Sequence, residues 1–178
     1  MKLEYKLNAD DFLTHQLYSS SKSESQKKSR NRARIIWPIV YTLFGLFLYY
    51  RDDTVLGPIM FSGLGILWLL FYPTYSKWRY KKHFEKHVHE NYKNMIGQTV
   101  EFEFSMETVT IKDHTSESSI KVSELKTFVE TRNHFFITLT TGLSIIIPKR
   151  VVENLPAFFL KMEDLKVDYL DELNWVWK

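Results

Sequence analysis

The sequence predicts an α+β membrane protein, in which a two-helix transmembrane hairpin precedes a small antiparallel β domain that is closed by a C-terminal helix. Three observations lead to this prediction. Two long apolar segments lie in the first half of the 178-residue chain. From residue 99, apolar and charged residues alternate with a period of two, which is typical of half-buried strands. From residue 154, large apolar side chains recur with helical spacing.

The two apolar segments have the length and composition of membrane spans. Residues 55–75 contain no charged side chain, and a helix of this length spans about 31 Å, close to a hydrocarbon core of roughly 30 Å. Residues 35–50 are shorter, but the stems of Arg34 and Arg51 extend the segment. Both segments are apolar on all sides, whereas a helix on a small soluble core has a polar face. The sequence therefore favours a membrane hairpin over a buried helical pair.

Basic residues flank this hairpin and predict its orientation. Ten lie before the first segment or after the second, whereas the short connection contains only Arg51, beside two aspartates. Because basic flanks stay in the cytoplasm, we expect a multi-pass protein of the cell (inner) membrane with both termini cytoplasmic. Topology also explains the basic run at 27–34, so no nucleic-acid partner is expected. The ten residues are Lys22, Lys27, Lys28, Arg30, Arg32, Arg34, Lys77, Arg79, Lys81 and Lys82.

These features divide the chain into four predicted parts. Residues 1–34 form an N-terminal cytoplasmic segment, which begins with a short strand and a helix capped by Asn8. Residues 35–75 form the transmembrane hairpin, and residues 76–98 continue as a polar juxtamembrane helix. Residues 99–178 form the β domain.

The β domain is predicted to contain six strands and one helix. Turn-forming residues separate the strands, and Asn154 caps the helix that follows them. The tail, residues 167–178, is amphipathic and is expected to fold back on the domain or to touch the membrane surface. The strands are expected at residues 100–104, 108–112, 118–122, 127–130, 134–140 and 143–147.

Four short motifs in this domain resemble the YcxB-like family. They are IKVSEL at 120–125, FVET at 128–131, FFI at 135–137 and IIIPKR at 145–150. The resemblance implies two membrane helices followed by a bacterial domain similar to the pleckstrin-homology (PH) type. It implies an architecture and a membrane location for nearly the whole chain, but no reaction, because a fold does not by itself carry a function.

The basic pair Lys149 and Arg150 is the candidate ligand-binding site. Both residues lie at a strand end before a helix, where they are predicted to contact an anionic group. The alternative is that they are solvated charges after an edge strand. In either case we expect both side chains to face water.

A metal site and a catalytic site are both poorly supported by the sequence. His83, His87 and Glu90 share a helix face that could hold zinc, although a solvated juxtamembrane helix explains them as well, and the question stays open. The chain contains no cysteine, and four of its six glycines lie in the apolar segments, so no thiolate site or glycine-rich phosphate loop is expected. We therefore expect no cofactor and no enzymatic activity.

The remaining functional class is a membrane-anchored cytoplasmic binding or scaffold module. Its predicted partners are the lipid bilayer and either a membrane protein or an anionic headgroup. The alternative is a structural subunit of a larger membrane complex, in which the hairpin itself is the interface.

Overall fold

The computed structural model describes residues 1–105, 107–114 and 116–177 of the chain. Within them it contains eight strands and four helices, so the fold is α+β, as predicted. Two compact units are present. The β unit comprises Met1–Gln16 and Glu85–Val176, and the hairpin unit comprises Leu17–Phe84 and Trp177–Lys178. The helices are α1 (Ala9–Lys22), α2 (Glu24–Asp52), α3 (Leu56–Asn91) and α4 (Leu155–Asp164).

Helices α2 and α3 are long and apolar enough to cross a membrane. Their most apolar stretches have mean hydropathies of 1.4 and 1.6, and only 6% of each stretch is buried, unlike the core helix of a soluble protein. Helix α2 begins at Glu24, well before residue 35, because the Ser23 hydroxyl accepts the Gln26 N–H at 3.4 Å and caps the helix. It ends at Asp52, and the following cap residue, Asp53, adopts a left-handed conformation with a φ of 51°.

Within the hairpin unit, α2 and α3 pack as antiparallel neighbours. Trp37 and Trp68 have ring centroids 6.4 Å apart, and Phe44 and Phe61 have centroids 4.9 Å apart. A Cβ added at Gly45 would lie 3.1 Å from the Cα atom of Pro58. A glycine at this position therefore allows the two backbones to approach closely, as small residues do between membrane helices.

The β unit contains two four-stranded sheets. The first has the order β1-β2-β3-β4, and all its neighbouring strands are antiparallel. The second has the order β7-β6-β5-β8 and is antiparallel except for the parallel pair β5 and β8. The strands are β1 (Lys2–Lys6), β2 (Thr99–Phe104), β3 (Thr108–Lys112), β4 (Glu117–Lys121), β5 (Leu125–Thr131), β6 (His134–Leu139), β7 (Ser144–Pro148) and β8 (Asp168–Glu172).

The N-terminal strand β1 belongs to the first sheet, although about ninety residues separate it from its neighbour β2. Leu3 pairs with Phe102, and Tyr5 pairs with Val100. Leu3 and Tyr5 are buried, and the Tyr5 hydroxyl donates a 2.9 Å hydrogen bond to the Ile146 carbonyl of β7. The first residues of the chain therefore contribute to the core of the β unit.

Helix α4 supplies the centre of that core. As predicted, it begins at the Asn154 cap, whose side-chain oxygen accepts the Ala157 N–H at 3.0 Å. Its fully buried Phe158 contacts rings of both sheets, Phe104 of the first and Phe135 of the second, with centroid separations of 6.0 and 5.1 Å. The helix thus closes the β unit by joining the two sheets.

The chain end folds back on the β unit, which is one of the two expected alternatives, but it does so as a strand that the sequence did not predict. Residues Asp168–Glu172 form β8, which pairs in parallel with β5. Most of its residues are exposed, so the segment DYLDE lacks the alternation by which a strand is recognised in a sequence. Its position depends on the otherwise free edge of β5, which is a tertiary contact.

Candidate functional site

The Pro-Lys-Arg segment directs its two basic side chains towards different carboxylates. Strand β7 ends at Pro148, and a single 3-10 turn, Lys149–Val151, follows it. The Lys149 N–H donates to the Asn133 carbonyl at 2.9 Å, which ties the turn to the loop between β5 and β6. Lys149 then pairs with Glu130, and Arg150 pairs with Asp11.

Asp11 is held in place by the first turn of α1. The Asp11 N–H donates to the Asn8 side-chain oxygen at 2.9 Å, and the Asn8 N–H donates to Asp11 Oδ2 at 2.8 Å. This reciprocal arrangement is a capping box, and it places a negative charge where the helix dipole favours one. The Asp11 side chain is buried, with only 1% of the residue exposed.

Two further side chains complete the environment of the Asp11 carboxylate. The Arg150 guanidinium donates from Nη1 to Oδ1 at 2.7 Å and from Nη2 to Oδ2 at 2.6 Å. His134 Nε2 lies 2.8 Å from Oδ1 and donates its N–H to the ionised carboxylate. We call Asp11, His134 and Arg150 the Asp11 cluster. A two-pronged arginine contact of this kind is among the stronger hydrogen-bonding arrangements in proteins.

The charge state of Asp11 follows from these contacts. Burial alone would raise the pKa of its carboxyl group. The hydrogen bonds from Arg150, His134 and Asn8 outweigh this effect and hold the pKa well below its usual range. Asp11 is therefore ionised at every physiological pH.

His134 is fixed on both its backbone and its ring. Its backbone N–H donates to the Thr131 hydroxyl at 3.1 Å, and that hydroxyl donates to the His134 carbonyl at 2.8 Å. The ring stacks on Phe136 with centroids 5.8 Å apart. Its Nδ1 atom is buried and has no hydrogen-bond partner among the described residues. Among the described residues, Asp11 supplies the hydrogen bond that orients the ring, through Nε2, and Phe136 supports one ring face.

His15 lies near the Asp11 cluster and is strongly perturbed. Its ring meets Phe136 edge-on at 5.2 Å. Burial, together with the neighbouring His134, lowers the pKa of His15 to about 4. This imidazole is therefore neutral in the folded protein at neutral pH.

Glu130, Lys149 and Tyr169 form a second group, the Glu130 cluster. Glu130 pairs with the Lys149 ammonium through Oε1 and accepts the Tyr169 hydroxyl at 2.6 Å through Oε2. The same ammonium lies 5.0 Å from the centre of the Phe135 ring. The hydrogen bond to Glu130, and to a lesser extent burial, raises the pKa of Tyr169 to about 12. This cluster joins β8 to the rest of the second sheet.

These contacts change the interpretation of the predicted ligand site. The expectation that both basic side chains face water is wrong for Lys149, whose side chain is only 19% exposed, whereas that of Arg150 is 48% exposed. An anionic ligand would have to compete with Glu130 and Asp11 for them. The assignment of Lys149 and Arg150 as ligand contacts stays a prediction.

The possible zinc ligands His83, His87 and Glu90 all lie on α3. His87 Nδ1 lies 3.0 Å from the Asn91 amide nitrogen, and Glu90 lies 3.6 Å from the Lys86 ammonium. Within residues 1–105, 107–114 and 116–177, no group of three or more histidine, aspartate or glutamate side chains is arranged to hold a metal ion.

Sequence reasoning missed the partners of the basic pair: Asp11, Glu130, His134 and Tyr169. Only Asp11 carried a local signal, the spacing Asn8-x-x-Asp11 of a capping box. His134 appears in the sequence as one residue of an alternating strand, but both faces of β6 are buried. Chemically, the two clusters neutralise buried charge and connect distant segments.

One of three comparisons with known proteins agrees with the family resemblance seen in the sequence. The family model described as YcxB-like protein matches residues 104–162. The resemblance is thus confirmed over this segment, and the two long apolar helices before it fit the expected arrangement. No curated protein and no solved structure matches the chain.

We predict that Arg150→Gln destabilises the β unit by about 2 kcal/mol, because it leaves the buried Asp11 carboxylate without its cation. Hydrogen exchange of the β6 amides in the full-length protein measures this loss. The matched control is Arg132→Gln, which removes an exposed arginine from the loop after β5 and should change stability by less than about 0.5 kcal/mol. Equal protection in the two variants would contradict the role given to Arg150.

We also predict that the β unit loses stability as the pH falls from about 6.5 to about 4. The unperturbed pKa of histidine is 6.5 and that of folded His15 is about 4, so in this window the unfolded chain binds one more proton at this residue. The expected loss is about 3 kcal/mol. His15→Leu should remove this pH dependence, and His114→Gln, a change at an exposed histidine, should retain it. Hydrogen exchange of the β6 amides at several pH values, corrected for the intrinsic exchange rate of an unfolded chain, measures this loss of stability.

Proposed function

We propose that this chain is a membrane-anchored cytoplasmic binding module, in which α2 and α3 cross the cell membrane and the β unit binds a protein segment or an anionic headgroup. The exposure of α2 and α3 is the observation that carries the proposal. The most apolar stretches of both helices are apolar on every side, and only 6% of each stretch is buried. Exposure of such an apolar surface to water is unfavourable in free energy, whereas lipid tails would cover it without this penalty.

The charges at the two ends of the hairpin support the orientation. Ten basic residues flank the apolar segments on the side of the chain termini. At the turn, Arg51 lies 3.0 Å from Asp52, so the basic charge there is locally balanced. This asymmetry favours a cytoplasmic location for both termini and an outside location for the turn.

The architecture of the β unit supports a binding role. Two sheets closed by the C-terminal helix α4 are similar to a PH-type domain, as the resemblance to the YcxB-like family implies. In the Asp11 and Glu130 clusters, each charged group has an oppositely charged partner within hydrogen-bond distance. These clusters therefore contribute to stability. We infer that the domain recognises its partner through its surface, where the half-exposed Arg150 stays a predicted contact for an anionic group.

Cysteine labelling tests the topology, because the chain has no cysteine of its own. We expect an impermeant thiol reagent to label Thr54→Cys in intact cells. We expect it to label Ser116→Cys, in the β unit, only after the membrane is opened. The reverse pattern, or labelling of neither site in opened cells, would contradict the proposed anchor.

Photo-crosslinking in the full-length chain tests the binding role. A photoreactive residue at Leu160 probes the exposed side of α4, and one at Leu64 probes the apolar surface of α3; these residues are 62% and 46% exposed. A binding module should give discrete protein or headgroup crosslinks from position 160. Protein crosslinks from position 64 alone would instead support the structural-subunit alternative, with the hairpin as the interface.

A further inference from the structure

A pocket of about 340 Å³ lies between α2 and α3 in the hairpin unit. It lies far from the turn at Asp53, near the opposite end of the hairpin. Helix α2 contributes small side chains to it, and α3 contributes aromatic and basic ones. Six residues line the pocket: Ser29, Ala33, Tyr72, Arg79, Tyr80 and His83.

The depth of this pocket matches the headgroup layer of a bilayer, if the hairpin spans the membrane as proposed above. Ala33 and Tyr72 lie at the ends of the two apolar segments. Arg79 and His83 lie beyond residue 75, by about 6 and 12 Å at the rise of an α-helix. Since the polar layer on each side of a bilayer is roughly 5–8 Å thick, Arg79 lies at the level of the lipid phosphates.

The lining groups have the chemistry that a phosphate requires. None of the six is acidic, and Arg79 has no carboxylate within 4.0 Å among the residues that the structure describes. A guanidinium can bind two phosphate oxygens at once. The hydroxyl groups of Ser29 and Tyr72 and the ring of His83 supply further donors.

A second positive charge lies beside the pocket. The Arg30 guanidinium lies 5.8 Å from the centre of the Tyr80 ring and 5.1 Å from the Trp177 ring. These cation–π contacts hold it next to Tyr80, one of the lining residues. The guanidinium of Arg79 lines the pocket itself, so the site favours a ligand with net negative charge over a zwitterion of the same size.

We propose that this pocket binds the phosphate of an anionic phospholipid headgroup, with Arg79 as its principal contact. The inference rests on the proposed membrane anchor. It adds a specific lipid site on the hairpin, separate from the surface of the β unit. Basic pockets between membrane helices on the cytoplasmic side are suited to such headgroups.

Native mass spectrometry of the full-length protein in neutral detergent tests this site. Phosphatidylglycerol and phosphatidylcholine with the same acyl chains are the probes. We expect the parent protein to prefer phosphatidylglycerol, and Arg79→Gln to weaken that binding about tenfold. The matched control is Lys77→Gln, which removes an equal charge from an exposed position of α3 outside the pocket. Its affinity should stay within about twofold of the parent.

Three results would overturn the proposal: equal binding of the two lipids, equal effects of the two substitutions, or displacement of phosphatidylglycerol by inorganic phosphate. The last would identify a soluble-anion site. Labelling of Thr54→Cys in intact cells separates this failure from that of the anchor. If Thr54→Cys is labelled and Arg79→Gln has no effect, only the headgroup site fails. If Thr54→Cys is not labelled, the proposed membrane anchor itself is contradicted, independently of the headgroup site.

Discussion

The ion pair between Asp11 and Arg150 is the contact on which the packing of the β unit depends. It joins the first turn of α1 to the turn after β7. A buried carboxylate is expensive to desolvate, and here two guanidinium N–H groups, one imidazole and one backbone N–H offset that cost together. Because these donors come from three separate parts of the chain, they satisfy Asp11 only when all three parts are in place. The pair thus selects one arrangement of the core.

Elements with a local pattern could be predicted from the sequence, whereas pairings between distant segments could not. Strand β3 was expected at residues 108–112 and occupies Thr108–Lys112, because alternation and flanking turns define it. Helix α4 begins at its predicted cap, Asn154, for the same reason. Strand β8 was missed, because its exposed residues owe their conformation to the edge of β5. The same distinction applies to the site. The motif containing Lys149 and Arg150 was recognisable, but their partners depend on tertiary structure.

The segment that matches the family model contains only some of the residues that form the two clusters. Residues 104–162 include Glu130, His134 and Arg150, but Asp11 and Tyr169, which contact them, lie outside this segment. Most of β2 and all of β1 and β8 lie outside it as well. The physical domain is therefore larger than the matched segment. It is assembled from two stretches of chain, between which the sequence of the hairpin is inserted.

This discontinuity has a consequence for the timing of synthesis. Asp11 leaves the ribosome 139 residues before Arg150, which corresponds to roughly 7–28 s at elongation rates of about 5–20 residues per second. During that interval the nascent N-terminus carries Leu3, Tyr5 and Phe12, which are all buried in the finished protein, and has no sheet to receive them. Both apolar helices, α2 and α3, are synthesised during the same interval. Final closure of the β unit is thus a late event, and slow translation of the hairpin would lengthen the exposure of the N-terminus to chaperones and proteases.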